Sequence, residues 1–332
     1  MIRSANHSSF PKRGDHPMNA PLNEAREALA ANEIDEAAWL NVVDETTTLA
    51  VAEQARAFVE VVTDGQIGWV GPHAQLAAQT DGLSLGSEIP WLAGDLNEPQ
   101  LIVDGPLKAT GSICRRTYDV ADHVAITQLL KVSLPGPVAL ARRADDRHYG
   151  DLDKLADAFA ERLAAEVREL SSAGATAFQL DEPLLCQHPD DLERVIRTAT
   201  TVFAAIEKPV MTILSTFFGD IDALAADWGR LPGTHLGLEA LDASANLAAL
   251  DKLPENKGVY LGVFDVRNPE EEDADDVVTR LSPYQEALVK RDVVVGPNGG
   301  TELLERDVAF DKLLHARYVA EALTKDWDWP EA

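Results

Sequence analysis

Cysteine is nearly absent from this chain: Cys114 and Cys186 are the two in 332 residues. Two thiols build no disulfide framework and cannot by themselves hold a structural zinc ion, so each reads as a small buried hydrophobe. Basic residues are scarce as well, 29 Lys and Arg against 56 Asp and Glu, which leaves a formal net charge of -27. A surface of that sign repels phosphates and anionic lipid, so no nucleic acid and no membrane is expected among its partners. No apolar run approaches the roughly 18 residues needed to span a bilayer, and the N-terminus MIRSANHSSFPKRGDHPMNAP lacks the apolar core of a signal peptide. A cytoplasmic protein is expected, starting at Met1 or Met18. Missing too are GxGxxG and GxxxxGK[ST] after a strand, the GxSxG elbow of hydrolases and any HExxH, HxH or HxC pair among the eight histidines. Cys186 and His188 do lie two apart, with no third ligand in view.

What is present is a globular composition, 45% hydrophobic and 26% charged. The acid run PEEEDADD at 269–276 and the shortage of lysine suit a solvated surface in high salt, where screening relieves self-repulsion, so a halophilic host is expected. The most informative stretch is AFQLDEPLL at 177–185: a short apolar strand that stops at Asp181 and Glu182, followed by Pro183. Proline has no N–H for a ladder and biases the preceding residue away from the helical region, so the strand opens at its carboxyl end.

Residues 1–21 read as a poorly ordered, Pro-rich segment with a strand-like piece at 8–11, 22–326 as one domain and 327–332 as a tail. Helical spacing covers 25–31 and 36–58, a strand follows at 59–63, and runs at 100–105 and 107–113 read as an inserted hairpin. From residue 130 onward strands at 130–134, 177–181, 209–214, 235–241, 259–265 and 292–295 alternate with helices. These begin at an Asp151 cap and continue at 190–206, 220–228, 243–253, 271–290 and 306–323. Such alternation forces right-handed crossovers and a parallel sheet. With 59–63 and 8–10 added, the strand count reaches the eight of a (β/α)8 TIM barrel, here with N-terminal helices and an inserted hairpin.

In a barrel the strands' carboxyl ends form one mouth. The residues expected there include Asp64, Asp181, Glu182, Glu239, Arg267 and Asn298. Carboxylates with one Arg suit a small ligand carrying an amine and a carboxylate.

Five segments recur in order: LPGPVAL (134–140), GATAFQLDEPLL (174–185), ILSTFFGD (213–220), YLGVFDVRNP (260–269) and VVVGPNGGTEL (293–303). Together they resemble the cobalamin-independent methionine synthase family over roughly residues 55–325. The resemblance implies a TIM barrel that transfers a methyl group to homocysteine, with zinc activating the thiol. Members with the catalytic centre carry His-x-Cys after the fifth strand, a Glu after the sixth and a Cys after the eighth. Here LSTFFGD offers neither His nor Cys, Glu239 stands after the sixth strand, and Gly299 after the eighth. Arg267 occupies the place of the family's proton-donating His, and Gln66 that of a Glu in its GE pair. On the folate side, Arg142 falls near the family's stacking Trp and Gln187 at an acid beyond DEPAL. Asp181 matches the residue that grips the homocysteine amine, and Ser9 of SSFP falls where the family has GSFP.

The pattern is similar to the family's N-terminal, zinc-less barrel. It implies methyl transfer in methionine biosynthesis, with no cofactor held by this chain and homocysteine or methionine as ligand. The partner would be a zinc-bearing barrel or a methyl-donor protein, with folate or a corrinoid as methyl source. The alternative is a non-catalytic amino-acid-binding or scaffold barrel that stabilises or regulates a partner. A third, decarboxylase-like reading rests on Asp64 and Arg267.

Overall fold

The computed structural model describes residues 2–90, 97–242, 245–270 and 272–329. Met1, the first residues of the helices expected at 243 and 271, and residues 330–332 of the tail lie outside them.

The strands in chain order are β1 (Ile2–Ser4), β2 (Val61–Val62), β3 (Thr80–Pro90), β4 (Asn97–Ala109), β5 (Leu129–Pro135), β6 (Asp145–Asp146), β7 (Ala177–Asp181), β8 (Met211–Ser215), β9 (His235–Glu239), β10 (Gly258–Phe264) and β11 (Val293–Pro297). Eight form one sheet in the order β1-β11-β10-β9-β8-β7-β5-β2. Its two end strands meet through a parallel bridge from Ala5 to Val61, where the Asn6 N–H donates to the Val61 carbonyl at 3.0 Å. That contact closes the sheet, so the expected (β/α)8 TIM barrel is the observed fold.

Several local expectations are corrected. The first strand is Ile2–Ser4 rather than 8–11, whose Ser9 contributes an isolated bridge to Gly65. Residues 100–105 and 107–113 are not the two arms of a hairpin. All of the first and residues 107–109 of the second belong to the single strand β4, which pairs antiparallel with β3, and β6 adds a parallel third strand. Gly105 and Pro106 mimic a turn in the sequence, but they pass straight through the strand because β3 bulges opposite them. Gly82 sits there at φ 84°, where a Cβ would come within 2.6 Å of the Pro106 carbonyl.

The helix expected at 220–228 is two 3-10 turns, Asp222–Leu224 and Trp228–Arg230. The Asn246 side chain takes the Ile221 N–H at 2.8 Å, and Gly229 packs against Pro254. Pro283 lacks an N–H, and the helix expected over 271–290 breaks there into Ala274–Leu281, a 3-10 turn Ser282–Tyr284 and Gln285–Leu288. The one expected at 243–253 is reduced to Ala245–Ala248 and a 3-10 turn Ala249–Lys252, just before Pro254.

The chain divides into two compact units, one of residues 1–68, 116–132 and 261–332, the other of 69–115 and 133–260. In the second, the helix Leu152–Ser172 starts on Asp151, whose side chain accepts the Lys154 N–H, and buries Leu155, Phe159, Leu163, Val167 and Leu170. From its buried face Glu166 accepts the N–H groups of Ile113 at 2.8 Å and Cys114 at 3.1 Å, just ahead of the helix Arg115–Val124. Cys114 is thereby a buried structural residue.

In the first unit, residues 2–12 are mostly buried and are locked by Arg306, the first residue of the helix Arg306–Asp326. Its guanidinium donates to Glu53 Oε2 at 2.6 and 2.8 Å, to the Pro11 carbonyl at 2.9 Å and to Asn19 Oδ1 at 2.6 Å. It also lies 5.1 Å over the Phe10 ring. Lys12, Lys131, Arg162, Arg306 and Lys312 are all buried, so part of the small basic complement is spent inside.

Removing one partner of a buried ion pair leaves the other charge uncompensated. Arg306→Ala is therefore expected to cost about 3–5 kcal/mol in urea unfolding. A loss below about 1 kcal/mol would show that the segment is held by other contacts.

Candidate functional site

Asp181 ends β7, and Gln179 lies two residues before it on the same face of the strand. The fully buried Gln179 donates its Nε2 to Asp181 Oδ1 at 2.7 Å, and Ser133 Oγ of β5 donates to Oδ2 at 3.3 Å. These two donors reach different oxygens of a partly exposed carboxylate. Burial raises the phenol of Tyr260 well above its usual range, and the charge of Asp181 adds to the shift.

Glu182, grouped in the sequence with the ligand-binding acids, is turned instead onto backbone. It is fully buried, its Oε1 accepts the Val138 N–H and its Oε2 the Ala139 N–H, both at 2.8 Å. These belong to the first turn of the helix Pro137–Arg143. A Cβ on Gly136 would lie 2.2 Å from the Glu182 carboxyl carbon, so only glycine admits this packing. The Glu182 N–H also donates to the Ser215 carbonyl, which fixes the chain on both sides of the acid.

Glu239 ends β9 and accepts the Phe218 N–H at 3.1 Å. Phe218 is held at φ 57°, an uncommon conformation for a side chain of that size. Burial pushes the Cys186 thiol up to about 12; a hydrogen bond with Thr216 opposes this, and the charges of Asp220 and Glu239 add to it. Among the described residues, no three of the His, Cys, Asp and Glu side chains gather closely enough to hold a metal ion.

In the first unit, Ser9, Asp64 and Gln66 gather around Lys12, a buried cation that the sequence reading passed over. Lys12 donates to the Gln66 carbonyl at 2.8 Å and pairs with Glu302 at 2.9 Å. Burial works to raise the Glu302 carboxyl, but Lys12, Arg13 and a hydrogen bond from Ser9 bring it below its usual range. Asp64 accepts the Gln66 N–H at 3.0 Å and the Thr117 hydroxyl at 2.6 Å. Burial nonetheless leaves the Asp64 carboxyl above its usual range.

Arg267 folds back on Asp265 with Nε 2.8 Å from Oδ1. Asn298 is buried and structural: its Oδ1 accepts the Val266 N–H at 2.9 Å and its Nδ2 donates to Asp265. Period-two spacing could have flagged Gln179, and the FPK run Lys12. Nothing in the sequence marks Ser133 or Thr117.

A sequence profile of the cobalamin-independent synthase N-terminal domain matches residues 104–289. The chain belongs to the cobalamin-independent methionine synthase family. Among relatives in this family, a methionine synthase of Thermococcus kodakarensis is 27% identical over 190 residues, 57% of this chain and 55% of that protein. The chain therefore spans little more than half the length of that relative. One from Sulfolobus acidocaldarius is 22% identical over 303 residues, 91% of this chain and 88% of that protein. The fold is shared with a B12-independent methionine synthase from Shewanella sp. W3-18-1, solved in complex with selenomethionine. That match has a TM-score of 0.79 and 20% identity and covers 98% of each chain.

Burial pushes the Glu182 carboxyl up to about 8 from 4.5, against the pull of its two N–H bonds, with smaller upward contributions from Asp191 and Asp181. A carboxyl raised on folding stabilises the fold fully below the unfolded value and loses that contribution as pH climbs through the folded one. Unfolding free energy relative to Glu182→Gln should fall between about pH 5 and about pH 8 in denaturant titrations. Parallel profiles for the two proteins would mean that the acid is already ionised at the lower pH.

Proposed function

We propose that this chain binds homocysteine or methionine through Asp181 and serves methyl transfer to homocysteine in methionine biosynthesis. It works as a zinc-less barrel alongside a zinc-bearing partner barrel that supplies the activated thiol. The observation that carries this is Asp181: a partly exposed carboxylate at a strand end, held by Gln179 on one oxygen and by Ser133 on the other. A carboxylate pairs with an ammonium group through charge-assisted hydrogen bonds. Membership of the family supports the substrate class, and the bound selenomethionine of the Shewanella relative is an amino acid of that class.

Within this reading Asp181 orients the ligand by its amine, and Glu239 of the same unit serves that ligand. Glu182 and Asn298 act by holding backbone. That no three potential metal ligands gather among the described residues supports leaving thiol activation to the partner.

That no three potential metal ligands gather among the described residues also supports a second reading, in which the barrel binds an amino acid without turnover and stabilises or regulates its partner.

Asp181→Asn is expected to weaken methionine and homocysteine binding at least about tenfold by calorimetry. Unchanged affinity would remove Asp181 from the site. Methyl transfer to homocysteine, assayed with methylated folate and methyl-corrinoid donors, should be absent with this chain alone and appear when a zinc-bearing barrel is added. Turnover by the chain alone with stoichiometric zinc would overturn the division of labour, and none in either mixture would favour the binding-only barrel.

A further inference from the structure

Gln179 has no part in the family resemblance beyond spelling out the strand, yet its placement is costly. A primary amide lies fully buried in the middle of a barrel strand, where leucine or valine would pack at no polar cost. Such a group is tolerated where its hydrogen bonds are made. Gln179 sends its N–H to the residue two places on, along the one face of the strand that both side chains share, at 2.7 Å. Only the N–H side of an amide can face a carboxylate, so the charge of Asp181 also fixes which way the amide points. Ser133, on the neighbouring strand β5, holds the other oxygen at 3.3 Å. The terminal torsion of an aspartate is otherwise broad. Gln179 on one oxygen and Ser133 on the other restrict that freedom before a ligand arrives.

We propose that Gln179 is a positioning residue for amino-acid recognition. It sets the plane in which the Asp181 carboxylate meets the ligand's ammonium group. The proposal rests on the reading of Asp181 as the ammonium acceptor. Gln179 itself touches no ligand. Its contribution is preorganisation, which lowers the ordering cost of binding rather than adding a contact. The benefit should therefore be confined to ligands that carry the amine.

The test compares methionine with 4-(methylthio)butanoate, the same molecule without its amine, by calorimetry on the full chain. Gln179→Leu should raise the Kd for methionine about tenfold while the Kd for the deamino acid stays within twofold of wild type. In an Asp181→Asn background the same substitution should add nothing, because the residue acts only through that carboxylate. Gln179→Asn, whose amide is one methylene short of its target, should reproduce the amine-selective loss if the leucine variant does not fold. Equal weakening of both ligands, an undiminished effect in the Asp181→Asn background, or no effect in either variant would overturn the proposal. If Asp181→Asn alone leaves methionine affinity unchanged, the Asp181 reading fails, and the proposal with it. If that variant weakens methionine while the Gln179 variants do not, the Gln179 proposal alone fails.

Discussion

Two backbone N–H groups donating to one buried carboxyl group hold the end of β7 in place. Glu182 reaches from the end of β7 to the first turn of the helix Pro137–Arg143, and each of its oxygens meets one N–H at 2.8 Å. A helix start leaves its first N–H groups without partners, and a buried acid needs donors, so each satisfies the other. The exchange demands that Gly136 carry no side chain. It also fixes the backbone one residue past Asp181, so the exposed acid is held by the buried one. The Gly136 N–H to the Asp181 carbonyl at 2.8 Å completes the clamp.

The first unit solves a similar problem with a cation. Lys12 is almost wholly buried and lies among the Gln66 carbonyl, Glu302 and the charge of Asp64. Arg306 does the same, joining Glu53, Asn19 and the Pro11 carbonyl. Both residues satisfy several acceptors at once. A buried charge is tolerated only under that condition.

Much of the architecture was legible in the sequence because strand and helix periodicities differ and alternate regularly after residue 130. The barrel, the Asp151 cap and the apolar face of the helix that follows came directly from that pattern. Failures arose where tertiary packing overruled local chemistry. Gly105-Pro106 looks like a turn until a bulge at Gly82 makes room for it. The adjacent acids Asp181 and Glu182 look alike in sequence, but neighbouring side chains leave an extended chain on opposite sides. One remains partly exposed, and the other is consumed by backbone. The family came from five short motifs in order, each too weak to carry the assignment alone. Ser133 and Thr117 were invisible because a hydroxyl on a strand or helix reveals its partner only once the fold brings the two together.

The interior cations have an outward consequence. Lys12, Arg306 and Lys312 are withdrawn from solvent and matched there by Glu302, Glu53 and Glu272. They are thus unavailable to neutralise the acids that face water, in a chain with 56 acidic and 29 basic residues. The outer shell must draw its counter-charge from dissolved ions. In solution the particle is then a polyanion wrapped in mobile cations, and its effective size and self-association follow the ionic strength of the medium.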